Sequence, residues 1–243
     1  MNRMWNRFGS LCAAGLALGL ASQAHAGVNS YLFAYTFGFA GPKQLIINGS
    51  TVLNAVSTGW YSDAGFHQAS NNNYIVGNCL PATCDGGDGV TLHNDFFVFD
   101  LSGVTGPITS ASLSIANPSA ADNIDPPFAS DGFGGVPTTY TTWDVTTSIA
   151  ALTADATSAT GTYADLGSGI FYGSTPADAS TNGTQVTVAL DGAALAAIQG
   201  AEGGQFAIGG TLGAVPEPAT WALMLIGFGS LGAAVRARRA RPA

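Results

Sequence analysis

The sequence predicts a mainly β body: a single antiparallel β-sandwich of jelly-roll type, with one or two short connecting helices, across residues 27–214. Three observations carry that expectation. Apolar and polar residues alternate with period two in several segments, as in strands buried on one face only. Charged residues are only 9% of the chain while glycines number 33, a composition that favours short strands and turns over helices laced with ion pairs. The run Phe96-Phe97-Val98-Phe99-Asp100-Leu101 is apolar on both faces, as a central strand covered on both sides must be. No period of 20–50 residues recurs, which argues against a solenoid.

In chain order, strands are expected at 31–39, 45–47, 51–56, 74–76, 96–101, 108–115, 140–145, 169–172, 185–190 and 205–212. Within 108–115, Ala111, Leu113 and Ile115 face one way and Ser110, Ser112 and Ser114 the other. Val186, Val188 and Leu190 repeat the pattern. Two connecting helices are expected. One covers 147–154, with Ile149 and Leu152 three apart; the other covers 191–199, with Leu195 and Ile198 likewise spaced and Asp191 as its N-cap.

Both ends of the chain read as addresses. Residues 1–26 have the zones of a secretory signal: basic Arg3 and Arg7, an apolar run, and Ala24-His25-Ala26 before an expected cleavage at Gly27. Residues 215–243 begin Val-Pro-Glu-Pro-Ala-Thr-Trp-Ala and continue apolar over 219–235, long enough for a transmembrane helix at the lower limit. Trp221 lies where aromatic rings favour the membrane interface, and Arg236, Arg238, Arg239 and Arg241 form a basic stop within 236–243. Arginines on the cytoplasmic side leave the body outside, in agreement with the signal peptide.

This tail resembles the PEP-CTERM sorting signal of Gram-negative bacteria, in its Pro-Glu-Pro-x-x-Trp-Ala variant, over about the last 28 residues. The resemblance implies recognition of Pro216, Glu217, Pro218, Trp221 and Ala222 by an exosortase, a membrane-embedded protease that removes such tails. It further implies an inner-membrane-anchored precursor delivered by the secretion machinery, then a protein of the cell surface or biofilm matrix. Similar tails also carry the label of an ice-binding protein C-terminal segment, which describes the tail and not an activity. The body is only loosely similar to secreted β-sandwich modules that accompany glycan-active enzymes.

Charge is partitioned sharply. Between residues 27 and 214 fourteen carboxylates face one amine, Lys43. Such a body neither neutralises phosphates nor is drawn to anionic headgroups, so nucleic acid is excluded as a partner. Cations, neutral glycans and proteins are left.

Cys79 and Cys84 are expected to form a disulfide in an oxidising exported setting. Asp85 and Asp88 among glycines, with Asp95 after them, are candidate Ca²⁺ ligands, since hard cations take oxygen donors on bendable backbone. A second acidic stretch holds Asp122, Asp125 and Asp131. Trp60 and Tyr61, in an Asn-rich segment, are candidate glycan contacts, with core filling as the alternative; Trp143 is expected in the core. No Gly-x-Ser-x-Gly, His-Glu-x-x-His or phosphate-binding loop occurs, so no catalytic residues are assigned. The expectation is a non-catalytic, exosortase-sorted surface or matrix protein that binds exopolysaccharide. The alternatives are a purely structural matrix component and a secreted glycan hydrolase.

Overall fold

A single long strand determines how this sheet closes. In the computed structural model, which describes residues 31–34, 42–78, 92–117, 138–177, 181 and 184–214, β3 (Thr51–Ser62) runs for 12 residues. Its first part pairs with β2 (Lys43–Ile47) and its second with β5 (Leu92–Asp100). A bulge between Ala55 and Ser57 bends the strand where it changes partner. The other strands are β1 (Tyr31–Ala34), β4 (Tyr74–Asn78), β6 (Ala111–Asn117), β7 (Thr138–Asp144), β8 (Phe171–Ala177), β9 (Thr184–Ala189) and β10 (Gln205–Ala214). All pair antiparallel in the order β8-β7-β10-β5-β3-β2-β6-β9, with β4 joined to β5 and β1 to β4.

The two ends of that path meet. The Asp191 N–H donates to the Tyr172 carbonyl at 2.7 Å. Gly173 allows the approach, because a Cβ there would fall on the Ala189 carbonyl oxygen and 3.0 Å from Val188 Cγ1. The result is a nearly closed, barrel-like sheet. A sandwich of two separate layers was expected; β3 belongs to both halves and makes the sheet continuous.

Alternation decides which side chains fill the interior. Leu45, Phe97, Phe99, Leu113, Ile115, Val186, Val188, Phe206 and Ile208 pack inside, with Ala111, Leu113 and Ile115 on the face expected of them. Phe96 and Val98 point the other way and are covered outside the barrel with Tyr61, Leu152 and Leu166. Helices α1 (Ile149–Leu152) and α2 (Thr160–Asp165) supply that cover, so β5 is buried on both faces as its sequence requires. At α3 (Gly192–Gly200) the Asp191 carboxylate accepts from the N–H groups of Ala193 and Ala194 at 2.9 and 3.0 Å, the expected N-cap. Helix α2 was not expected. It has no buried residue, so apolar spacing gives no sign of it.

The signal segment 1–26, Cys79, Cys84, Asp85, Asp88, the acidic stretch 122–131 and the tail 215–243 lie outside the described residues. Among the described residues no helix is long and apolar enough to cross a membrane; the expected span 219–235 is not among them.

Candidate functional site

Inside the barrel, β5 presents a carboxylic acid. Asp95 stands opposite Trp60 of β3 and Gly210 of β10, and is fully buried. The Tyr140 hydroxyl donates to its Oδ1 at 2.9 Å. A Cβ at position 210 would collide with both of those oxygen atoms, so glycine there makes room for the pair. Asp95 Oδ2 and Trp60 Nε1 are buried without a hydrogen-bond partner. Burial lifts the Asp95 carboxyl to about 7, against the downward pull of the Tyr140 bond. The same burial, together with the nearby Asp95 charge, pushes the Tyr74 and Tyr140 hydroxyls up. Tyr74 OH donates to the Ala116 carbonyl, and His93 meets Trp60 edge-on at 4.6 Å.

Asp95 was a candidate Ca²⁺ ligand with Asp85 and Asp88, which lie outside the described residues; its own carboxyl faces inward, with one oxygen accepting from the Tyr140 phenol. Among the described residues no group of three or more His, Cys, Asp or Glu comes together to hold a metal.

Trp60 and Tyr61, the candidate glycan contacts, are 2% and 1% exposed. Sugar stacking needs an open ring face, and neither has one. Trp60 lies against His93 and Phe66. Tyr61 stacks on His67 with centroids 4.7 Å apart, and its hydroxyl reaches the Ala151 and Leu152 carbonyls at 3.1 and 3.0 Å. That contact ties β3 to the end of α1. His67 Nδ1 is 2.9 Å from the Trp60 carbonyl oxygen, and burial holds its ring below the ordinary imidazole range despite that bond. This correction has a simple source. The polar residues around Trp60 suggest a surface segment, yet β3 continues to Ser62 beneath the helices.

The aromatic surface lies elsewhere. On β7, Tyr140 and Thr142 are buried, whereas Thr139, Thr141 and Trp143 are half-buried on the outer face. Trp143 thus departs from the core placement expected for it. Cross-strand partners share a face, so three outer rows follow from the register: Gly209–Trp143–Phe171, Thr211–Thr141–Ser174 and Gly213–Thr139–Pro176. A register shift between Thr142 and Trp143 aligns Trp143 with Phe171 and leaves Tyr172 turned into the core. The rings meet edge-on at 6.0 Å. Trp143 Nε1 donates to Thr211 Oγ1 at 3.0 Å. Phe171 is 43% exposed and the adjoining Ile170 56%. Sequence alternation through 139–143 carried this signal; the bulge that brings in Phe171 has no sequence mark.

Residues 214–239 match the family model of the PEP-CTERM protein-sorting motif. No curated protein and no solved structure matches the chain. The match begins at Ala214, the last residue of β10, so the sorting segment continues directly from a central strand of the sheet.

Proposed function

From the PEP-CTERM protein-sorting motif carried at residues 214–239, we propose that the chain is made as an exported, membrane-anchored precursor that an exosortase cuts. Its body then works outside the cell as a non-catalytic surface or matrix protein that binds extracellular polysaccharide. The sorting motif is the observation that carries this reading. Two properties of the body support it. Fourteen carboxylates against a single amine between residues 27 and 214 disfavour nucleic acid and anionic lipid as partners. The outer rings of Trp143 and Phe171, bordered by hydroxyls, suit a sugar.

The test is made on protein recovered from its host. The intact mass is expected to lack residues 236–243, and to retain them in a strain without the exosortase. The processed protein is expected to be retained by the host's own exopolysaccharide without releasing smaller sugars. Arginines still attached in the wild-type strain would remove the processing claim. Absence of retention would remove the binding claim, and release of oligosaccharides would show a hydrolase.

A further inference from the structure

We propose that the outer face of β7 and β8, centred on Trp143 and Phe171 and bordered by the Leu166–Gly167 segment that covers Gly209 of β10, is where the body takes up a neutral polysaccharide chain. The inference deepens the polysaccharide reading above and rests on it.

Large apolar side chains in this fold are mostly enclosed, so an aromatic pair left outside calls for an explanation. The pair exists because of a local irregularity. In an unbroken register Trp143 would face Tyr172, and the bulge substitutes Phe171 while Tyr172 goes into the core. Bulges re-aim side chains in this way at sheet edges and binding surfaces. The Trp143 ring is also fixed, since its Nε1 is held by Thr211 Oγ1. A ring already held in one orientation loses little freedom when a ligand stacks on it.

The surroundings indicate what stacks there. The neighbouring outer row offers the hydroxyls of Thr141 and Ser174, and the next adds Thr139, while Thr211 holds the Trp143 ring and lies against Gly167. A pyranose has C–H groups on its face and hydroxyls around its edge, which matches rings bordered by donors and acceptors. Strand rise of about 3.3 Å per residue sets Trp143 and Thr139 roughly 13 Å apart along β7, room for a short run of sugar units. Charge selects among sugars. None of the three rows holds a charged side chain, and the body around them is strongly acidic. A polyanion would be repelled without any cation to pair it, whereas a neutral chain has no such penalty.

The experiment uses mature protein purified from the host, as wild type and as Trp143→Ala, Phe171→Ala, Thr141→Glu and Val56→Ala. Host exopolysaccharide, split by anion exchange into neutral and acidic fractions, is the probe, read by retardation in affinity electrophoresis. Wild type is expected to bind the neutral fraction more tightly than the acidic one. Trp143→Ala and Phe171→Ala should weaken that binding at least tenfold, and Thr141→Glu should weaken it by occluding the row. Val56, 56% exposed on β3, is the surface control and should leave binding unchanged. Phe171→Ala removes an exposed ring and keeps the test valid if Trp143→Ala does not fold. Wild type that binds with folded variants within twofold of it would overturn this location alone. Preference for the acidic fraction would overturn the neutral assignment. Self-association lost in the variants with polysaccharide retention unchanged would give the face to a second copy instead. Wild type that binds neither fraction would sink the parent reading.

Discussion

Asp95 couples the stability of this barrel to pH. In an unfolded chain its carboxyl titrates near 3.8, and in the fold near 7, because burial penalises the charged form more than the Tyr140 bond favours it. Between those values the folded state keeps a proton that the unfolded state has lost. Its contribution is therefore full below about pH 4, falls as pH rises, and levels off above about 7. A tenfold change in proton affinity is worth about 1.4 kcal/mol, so the effect across the whole window is on the order of 4 kcal/mol as an upper bound. His67 acts in the opposite sense. Its lowered value means stability is present above the ordinary imidazole range and is lost as pH falls through the folded value. The two are separated by Asp95→Asn, whose amide oxygen still accepts from Tyr140 but whose side chain does not ionise. Urea unfolding at pH 4.5, 6 and 8 is expected to show the variant close to wild type at the lowest pH. It should be more stable by a few kcal/mol at the highest. A difference that stays constant with pH would show that Asp95 is not the titrating group.

At the scale of elements, closure depends on β8 and β9 coming close enough for backbone to touch backbone. Gly173 is the residue that permits it, so Gly173→Ala should force the strands apart and destabilise by about 1–3 kcal/mol, the usual cost of overpacking. Gly213→Ala, where nothing lies within 4 Å, is the matched control and should change the urea midpoint little. Strand β9 was readable in the sequence because it buries one face, and alternation reports that directly; β6 carries the same alternation, although Ser114, Ala116 and Asn117 are buried as well. The double burial of β5 was readable as well, from its unbroken apolar run. What was not readable shares one cause, dependence on distant chain. The bend in β3 and the bulge beside Trp143 are set by pairing partners far away in sequence. The burial of Tyr61 depends on α1 and on His67, and that of Trp60, turned inward beside Asp95, on His93 and Phe66, while the polar residues around both in the chain suggest solvent. Helix α2 has no fully buried residue: Tyr163 packs only partly buried against the outer cluster, and the rest of its anchoring is polar, through Asp165 to Thr146 and Thr147 earlier in the chain. Burial would raise the Asp165 carboxyl, but bonds from the hydroxyls and N–H groups of Thr146 and Thr147 outweigh it and hold it low.

For the molecule as a whole, the way the sorting segment joins the fold limits where it can be cut. Strand β10 lies between β5 and β7, pairing with β5 over 205–210 and with β7 over 208–214. It places Phe206 and Ile208 in the interior. Removing it would open the sheet along its length and expose both neighbours, and an opened sheet presents unpaired backbone that invites aggregation. The sorting match begins at the last residue of that strand, so the chain passes from paired central strand to sorting signal with little intervening length. A protease acting on the anchored precursor can release a folded body only if it cuts beyond residue 214. The mature protein should therefore end at or after Ala214 and melt at the same temperature, within a few degrees, as the uncut precursor purified in detergent. C-terminal peptide mapping of the host's mature protein checks the first statement and calorimetry the second. A mature end at or before Ile208 in a protein that still melts cooperatively would mean that β10 is dispensable, and that the sheet closes by some other pairing.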